Sequence, residues 1–579
     1  MELKKINLKN RKVLKILTIA IYLISILIYE IGICNGQVLF NNETISYNFS
    51  LCRIVIYVVF LILLIKNIDK FIENAIDSLE LKSKKNVLGI YIPVAIITII
   101  YVLIKWISIY KALTLTITLL MGLLFIIYIS SNYIKNTIII TFTLGILFTF
   151  TTDFHHAIDE KKHMMSAINI ANGNFNYVES PLNEPAYNNI IFNCDIDSFI
   201  QFYAKKYEPS LTDEWNRTEE TEVYYICSSP ADYNLILYLP SVVGVTFAKI
   251  LGGSIADVYI MGRLFNLIAY SLMVILILKL LPYKQKIFFI IYMLPFQLVL
   301  AASFSIDGIC LGFLGIFIAY CLKLSEVDYK TIKMKQILTL MVLFTLCLLA
   351  KNLAYCAIIL FIFVLPIFKI LKNNKKNLPI IITILIIAIV GCAVLLLNKL
   401  NMTASSGGDP RGGETSVIGQ INFLLSSPFN IVKVGFEHIM NSVLNYNWYT
   451  YLNHGAFFGK YAVQIFFLEV IFILYVSFTD SSKKIKLRTN IVSIITFIGV
   501  FASTSLMLYL TFTPVGQINI SGYQPRYVTP ILPMVLMLIN NKVFIGKSSK
   551  EDKEKNDINI SLISGLFIII DLFCLVYVI

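Results

Sequence analysis

Long apolar stretches separated by short polar turns recur along the whole chain. Each stretch approaches the roughly 20 residues that an α-helix needs to cross about 30 Å of hydrocarbon. The pattern predicts spans at 16–34, 51–65, 87–104, 112–130, 137–151, 257–281, 285–301, 306–324, 336–350, 353–371, 378–398, 460–479, 490–511, 525–541 and 559–578. We therefore expect an all-α polytopic membrane protein with about 14–15 transmembrane helices.

Two long polar segments, 152–256 and 399–459, interrupt this pattern. Within the first, the apolar run 234–251 contains Pro240 and ends at a pair of glycines. If this run crossed the membrane, the lysines after the next span would lie on the wrong side. We therefore predict that it lies along the membrane surface, which makes the first segment a large outer loop carrying in-plane helices.

The charged residues between the apolar stretches predict the topology. Lysines are concentrated in alternate turns, as expected for turns on the cytoplasmic side. These turns include 66–85, 330–335, 372–376, 483–488 and 542–555. The segment 152–233, by contrast, contains 14 acidic and 5 basic residues. We expect a multi-pass protein of the plasma membrane, with a cytoplasmic N-terminus and an extracytoplasmic long loop.

Composition supports the same class of protein. Hydrophobic residues make up 57% of the chain and charged residues 14%, against about 25% charged residues in soluble domains. These values exclude a soluble globular enzyme, a disordered chain and a secreted disulfide scaffold. The net charge of +13 would suggest nucleic acid in a soluble protein. Here the lysines lie between apolar runs, so we expect membrane lipid and no nucleic acid as a partner.

The densest group of polar side chains follows the fifth predicted span. His155, Asp159 and His163 recur every four residues, so they share one face if the stretch is helical. This face could simply be the polar side of an outer helix, or it could bind zinc through three ligands. It could also provide Asp159 as a general base, with Glu160 and His163 orienting that base or the substrate. The sequence leaves these three interpretations open.

Three further charged residues lie at predicted outer ends of spans: Asp307, Lys351 and Arg526. Each has a simple structural explanation. Asp307 could cap a helix, Lys351 could extend to the membrane interface, and Arg526 could contact lipid headgroups.

Six segments occur in a fixed order between about 150 and 540. They are IDEKKHMMSAINIANG, YLPSVVGVTFAKILG, GRLFNLIAY, MLPFQLVLAASFSIDG, AKNLAY and YQPRYVTPILP. In this order they resemble a poorly characterised predicted-membrane-protein branch of the bacterial GT-C glycosyltransferase superfamily. The resemblance suggests a GT-C-like core at 137–541. The N-terminal helices in 1–136 lie outside the family pattern, and 542–579 adds an inner loop and a final transmembrane helix.

The resemblance implies a transferase that moves a sugar from a polyprenyl-phosphate donor to an unidentified acceptor on the outer face, with inversion. It implies that Asp159 is the catalytic base, beside Glu160 and His163. The residues implied to bind substrate are Arg526, Lys351, Asp307, Tyr527 and Gln524. No cofactor is required by this chemistry. A divalent metal held by His155, Asp159 and His163 is the alternative.

Two other functions fit parts of the sequence. A transporter or lipid flippase would explain the many spans, and it predicts ionisable groups deep in the membrane. Glu469 lies centrally in its predicted span, whereas Glu30 and Asp571 are nearer span ends, where headgroup exposure would explain them. A non-catalytic scaffold for other envelope enzymes is the second alternative.

Overall fold

The computed structural model describes most of the chain. The described residues are 2–30, 50–79, 81–104, 109–152, 157, 159–171, 173, 233–253, 255–351, 354–373, 415–445, 458, 462–480, 482–483, 485–539 and 549–578. They form helices and turns and contain no β-strand. The fold is therefore all-α and polytopic, as predicted. The predicted span 378–398 and most of the predicted outer loops lie outside the described residues.

The N-terminal part of the protein consists of long helices followed by a segment with a π-helical turn. The helices are α1 (Glu2–Ile28), α2 (Leu51–Leu79), α3 (Lys82–Ile104), α4 (Ile109–Tyr128), α5 (Tyr133–Ile140) and α6 (Ile146–Thr151). The π-helical turn Thr141–Gly145 joins α5 to α6. Helices α1 to α4 bury mainly isoleucine, leucine and aromatic side chains, and α4 contacts both α5 and the π-helical turn.

The central part alternates long helices with short ones. Its helices are α7 (Glu160–Ala171), α8 (Leu239–Ile250), α9 (Ile255–Leu280), α10 (Gln285–Tyr292), α11 (Pro295–Ala301), α12 (Asp307–Ser325), α13 (Met334–Leu349) and α14 (Ile367–Asn373). Helix α12 is buried along most of its length, and α9 packs against both α8 and α12. The core of the protein therefore lies around α9 and α12.

The C-terminal part completes the bundle. Its helices are α15 (Val417–Ser426), α16 (Pro428–His438), α17 (Ala462–Thr479), α18 (Leu487–Phe512), α19 (Leu532–Leu536) and α20 (Lys550–Val578). Among the described residues, eight helical segments are long and apolar enough to cross a membrane. They are Leu51–Glu73, Ser83–Ile100, Lys111–Tyr128, Tyr133–Thr151, Asp257–Leu280, Asp307–Ser325, Leu487–Phe512 and Glu551–Leu575. The protein is therefore a multi-pass membrane protein.

Three apolar stretches that the sequence predicts as single spans are interrupted at prolines. The stretch 285–301 breaks into α10 and α11 before Pro295. The stretch 353–371 forms a 3₁₀-helix, Cys356–Val364, and resumes as α14 after Pro366. The stretch 525–541 forms two 3₁₀ turns and the short α19. Proline lacks the N–H that a continuing helix needs and restricts the residue before it, which explains each break.

Helix α8 corresponds to the run predicted to lie along the surface. Its twelve residues reach only about 18 Å at 1.5 Å per residue, too short for the hydrocarbon core. It packs closely on α9 at Gly244, where a Cβ atom would lie 2.2 Å from the carbonyl oxygen of Met261. The glycine therefore permits a contact between the two backbones that a side chain would prevent.

The N-terminal helices are joined to the core by buried charges. Arg53 on α2 donates to Glu30 at 2.8 Å and to Asp257 on α9 at 2.7 Å. Glu30 is buried, so the expected headgroup exposure is wrong for this residue. Because removing one partner would leave a buried charge uncompensated, this ion-paired triad ties the leading helices firmly to α9.

Candidate functional site

The structure brings together four charged residues from four distant parts of the sequence. Arg526 lies in the 3₁₀ turn Pro525–Tyr527 and faces two carboxylates. Its Nη1 is 3.0 Å from Oδ2 of Asp307, and its Nη2 donates to Oδ2 of Asp159 at 3.3 Å. Lys351 forms an ion pair with the other oxygen of Asp307. We call Asp159, Asp307, Lys351 and Arg526 the charged cluster.

The charged cluster is open at Asp159 and closed elsewhere. The side chain of Asp159 is 34% exposed, whereas that of Arg526 is 7% exposed. Asp307 and Lys351 are almost as buried as Arg526. With all four groups ionised, the two carboxylates balance the two cations. The arrangement therefore places three buried charges, with a net charge of +1, beneath one accessible carboxylate.

Two residues of the charged cluster have an unusual backbone conformation. The φ angles of Asp159 and Lys351 are +60° and +46°. This left-handed region costs L-residues roughly 1–2 kcal/mol, although aspartate tolerates it better than most. Non-glycine residues in this region persist where the surrounding structure holds them, and they are concentrated at functional sites. The backbone thus favours a functional rather than incidental origin for the cluster.

The local structure explains how Asp307 reaches this position. Asp307 is the first residue of α12, where the helix dipole favours a negative charge. The turn before it is held by Asn266 on α9, whose amide donates to the carbonyls of Ser303 at 2.7 Å and Ser305 at 3.0 Å. The hydroxyl of Ser305 in turn accepts a hydrogen bond from the N–H of Asp307 at 3.3 Å. The core helix α9 therefore positions Asp307.

Tyr527 and Gln524 flank Arg526. The ring of Tyr527 lies 4.2 Å from Nζ of Lys351, which is a cation–π contact. The Oε1 atom of Gln524 and the Nε atom of Arg526 are both buried without a hydrogen-bond partner among the described residues. Buried polar atoms normally have partners. These two atoms are therefore available to a polar group entering the cluster.

Glu160 has a different environment from its neighbour Asp159. It forms two parallel bonds with Arg263 on α9, each 2.7 Å long, and it also accepts the N–H of Phe304 at 3.2 Å. Neither side chain of the pair has any exposed surface. Arg263 also donates to the carbonyl of Thr152 at 3.0 Å. Because the side chain of Glu160 has no exposed surface, it cannot touch a substrate directly. Its expected role in orienting Asp159 stays a prediction.

His163 lies one turn further along α7 and is buried. Its Nδ1 is 3.2 Å from the hydroxyl of Tyr238, and its ring packs against Tyr233. Burial lowers the pKa of His163 to about 4, despite the nearby carboxylates of Asp307 and Asp159. At neutral pH the imidazole is therefore uncharged. It is a buried polar group near Asp159 and does not act as an acid there.

The residues proposed as metal ligands are only partly described. His155 lies outside the described residues, whereas Asp159 and His163 are both placed at the cluster. In the described part of the chain, no group of three or more His, Cys, Asp or Glu side chains is arranged to hold a metal ion. Among the described residues, Arg526 contacts Asp159, and Lys351 pairs with Asp307.

Sequence reasoning did not assign a role to Arg263 or Asn266, although it identified the segment GRLFNLIAY. Both residues lie within a membrane span and are buried. An arginine in such a span is expensive unless it is paired, and this signal alone marks it as important. The segment matters because Arg263 fixes Glu160 while Asn266 fixes the turn before Asp307. Together they fix the positions of the two acidic residues of the charged cluster, Asp159 through its neighbour Glu160 and Asp307 through the turn before it.

These features define a multi-pass helical membrane protein with a partly buried charged cluster. The family model described as "Predicted membrane protein (DUF2142)" matches residues 142–535, and the chain belongs to this family. The matched region contains all four residues of the charged cluster together with Glu160 and Arg263. No curated protein and no solved structure matches the chain.

Proposed function

We propose that the protein is a GT-C-type glycosyltransferase that uses a polyprenyl-phosphate-linked sugar. The observation that carries this proposal is the charged cluster, in which an accessible carboxylate, Asp159, lies directly against a buried guanidinium, Arg526. Sugar transfer from a phosphate requires a base for the acceptor and a cation for the leaving group. The cluster offers both within one site.

In the proposed reaction, Asp159 accepts the proton of an acceptor hydroxyl as its oxygen attacks the anomeric carbon. The new carbon–oxygen bond forms as the bond to the phosphate oxygen breaks, and polyprenyl phosphate leaves with the electron pair. Attack from the opposite side inverts the anomeric centre. Arg526 and Lys351 stabilise the charge that develops on the departing phosphate through charge-assisted hydrogen bonds.

The resting geometry indicates how donor binding would activate the base. Asp159 accepts a 3.3 Å hydrogen bond from Arg526, whereas Asp307 lies 3.0 Å from the same guanidinium and also pairs with Lys351. A donor phosphate would therefore replace Asp159, because its side chain is 34% exposed and that of Asp307 only 10%. Asp159 would then lose a neighbouring positive charge, and a carboxylate without such a neighbour is a better base. Asp307 would keep the two cations in place.

The test uses purified protein in nanodiscs with a panel of labelled polyprenyl-phosphate sugars. Because a general base contributes roughly 10²–10⁴ in rate, Asp159→Asn should lower transfer by about that factor. The same substitution removes an internal competitor for Arg526, so polyprenyl phosphate should bind equally well or more tightly. Undiminished transfer by Asp159→Asn would overturn the assignment.

A matched control is available on α16. Glu437→Gln makes the same acid-to-amide change in a residue outside the charged cluster, where it contacts Asn441. We expect this variant to transfer sugar at the rate of the unaltered protein. Equal losses in both variants would show that Asp159→Asn acts through folding, which thermal unfolding of both proteins would reveal.

We further propose that this reaction needs no metal, because two fixed cations already face the position of the leaving phosphate. Transfer should continue in the presence of EDTA. If EDTA abolishes transfer and Mg²⁺ or Zn²⁺ restores it, the alternative with His155, Asp159 and His163 as ligands becomes the better account.

The lysine distribution supports an extracytoplasmic position for the charged cluster. In a cysteine-free background, a cysteine at Asn216 should react with an impermeant thiol reagent in intact cells. A cysteine at Lys553, in the predicted inner segment, should react only after permeabilisation. The reverse pattern would place the active face in the cytoplasm.

One observation favours transport as a second candidate function. Glu469 on α17 and Asp571 on α20 are both buried, and their carboxyl groups interact electrostatically. Ionisable pairs inside a membrane bundle are typical of ion and proton pathways. If Glu469→Gln abolishes lipid or ion movement in donor-free liposomes, transport would replace transfer as the main function.

A further inference from the structure

A cavity of about 420 Å³ lies between the leading helices and the core, away from the charged cluster. Helices α1, α2 and α4 form one side, and the segment from α5 to α6 together with α9 forms the other. Most of the lining side chains are isoleucine, leucine, methionine and phenylalanine. Its volume lies within the range of about 300–1,000 Å³ that is typical of small-molecule sites.

Several polar groups in the cavity wall are already bound to other parts of the protein. The hydroxyl of Tyr22 donates to the carbonyl of Tyr57 at 2.9 Å, and Thr18 forms a hydrogen bond with Tyr128. Arg53, at one end, is held by the ion-paired triad described above. A polar ligand would lose its hydrogen bonds to water without gaining new ones from these groups. An apolar ligand has no such bonds to lose.

The cavity opens sideways at membrane depth. Leu63 and Phe142 both line it, both belong to candidate membrane spans, and their exposures are 47% and 40%. The rings of Phe60 and Phe142 meet edge to face at 5.3 Å beside this opening. Phe142 lies in the π-helical turn Thr141–Gly145, and such turns are common at functional sites. The entrance therefore faces the hydrocarbon of the bilayer.

We propose that this cavity binds one acyl chain of a membrane phospholipid, which enters beside the contacting rings of Phe60 and Phe142. An empty apolar cavity forfeits dispersion contacts, and the adjacent bilayer supplies chains that restore them. The volume corresponds to about 14 groups the size of a water molecule, each ~30 Å³ in the liquid. One acyl chain has this size, whereas a polyprenyl chain of several tens of carbons is much larger.

This proposal does not depend on glycosyltransferase activity. It assigns a lipid-binding role to helices outside the region that matches the family, since α1, α2 and α4 all precede residue 142. The chain would act as a structural lipid, filling the space between these helices and the core.

Photo-crosslinking tests the proposal directly. Purified protein is placed in nanodiscs that contain a phospholipid with a diazirine in its acyl chain, irradiated, and mapped by peptide mass spectrometry. We expect the label to be concentrated on the peptides that contain Phe60 and Phe142. Labelling spread evenly over all lipid-facing helices would overturn the proposal.

The matched comparison uses two tryptophan substitutions on α1, one inside the cavity and one outside it. Ser25 lines the cavity, and its hydroxyl has no hydrogen-bond partner among the described residues, so Ser25→Trp fills space without breaking a described bond. We expect labelling of the two peptides to fall at least tenfold. Leu23→Trp places the same residue on the same helix at a lipid-facing position outside the cavity. It should leave labelling unchanged.

Two further measurements make the outcome decisive. If Ser25→Trp lowers the unfolding temperature strongly, Leu64→Trp at another lining position takes its place. A diazirine-bearing polyprenyl phosphate is tested in parallel. Stronger labelling by this probe than by the phospholipid at Phe60 and Phe142 would show that the proposed occupant is wrong.

Discussion

Asp159 and Glu160 are adjacent acidic residues, and each faces an arginine, yet their environments are opposite. Glu160 makes two 2.7 Å bonds to Arg263 and has no exposed surface. Asp159 accepts a longer bond, 3.3 Å, from Arg526, and its side chain is one-third exposed. The pair of Glu160 and Arg263 is fully buried and hydrogen-bonded. The pair of Asp159 and Arg526 can separate without leaving a buried charge unpaired, because Asp159 is partly exposed and Arg526 also contacts Asp307.

This difference assigns the pair of Glu160 and Arg263 to stability and the pair of Asp159 and Arg526 to the proposed reaction. Breaking a fully buried ion pair costs far more than breaking a partly exposed one. Glu160 therefore anchors the start of α7, and this anchor fixes the position of Asp159 at the accessible end of the charged cluster. A carboxylate that must change partners during a reaction has to be the less tightly bound of the two.

The largest expected effect is on stability, at the satisfied pair. Arg263→Met leaves Glu160 buried without its cation, so unfolding free energy should fall by about 3–5 kcal/mol. The measurement is thermal unfolding of the protein in nanodiscs. The double variant Arg263→Met with Glu160→Gln should recover much of this loss. A single variant that melts like the unaltered protein would show that the two pairs do not differ.

The next effect is on donor binding, at the open pair. Arg526→Lys keeps the charge but loses the planar group that can contact Asp307 and a phosphate together. Affinity for polyprenyl phosphate should fall about tenfold, which corresponds to ~1.4 kcal/mol, while the unfolding temperature changes little. Arg488→Lys is the control, because Arg488 is outside the charged cluster and donates to the carbonyl of Phe363. If Arg526→Lys and Arg488→Lys bind polyprenyl phosphate with equal affinity, Arg526 does not contribute to donor binding.

A smaller effect concerns the pH dependence of stability. The pKa of His163 falls from about 6.5 in the unfolded chain to about 4 in the folded protein. Between these values the unfolded state binds more protons, so stability decreases as pH falls from 6.5 towards 4. His163→Gln should make the unfolding temperature less dependent on pH in this window. Burial also lowers the pKa of His438 to about 4, so part of the dependence should remain in this variant.

The smallest expected effect again contrasts the two acids. Asp159→Gly replaces a residue at φ +60° with one that adopts this conformation freely. Relief of strain and loss of a partly exposed ion pair should nearly cancel, each amounting to about 1 kcal/mol or less. We expect an almost unchanged unfolding temperature together with loss of sugar transfer. A large fall in unfolding temperature would show that Asp159 is a structural residue like Glu160.

The sequence predicts the all-α membrane architecture because hydropathy depends on local composition. It does not predict where apolar stretches break, although Pro295 and Pro366 mark two of the breaks. Hydropathy scores a stretch with a proline almost as highly as one without it. Proline positions would have been the better guide to the interrupted segments around the site.

Only part of the site was predictable. Asp159 stood out in the dense polar group after the fifth predicted span, and Asp307 and Arg526 stood out as charges at predicted span ends. The resemblance placed them in one site. The pairing of Glu160 with Arg263 depends on how α7 and α9 pack, which no local pattern reveals. Two adjacent acids look equivalent in sequence, and only the tertiary structure shows that one of them is buried.

The triad of Glu30, Arg53 and Asp257 has a consequence for biosynthesis. Arg53 and Asp257 are separated by 204 residues, so the ribosome needs about 10–40 s to make the intervening chain at 5–20 residues per second. During this interval Glu30 and Arg53 can neutralise each other as a hairpin that has already entered the bilayer. When Asp257 is synthesised, its ion pair with Arg53 would attach the assembled pair of helices to the core. The leading helices would therefore dock on α9 only after Asp257 has been made.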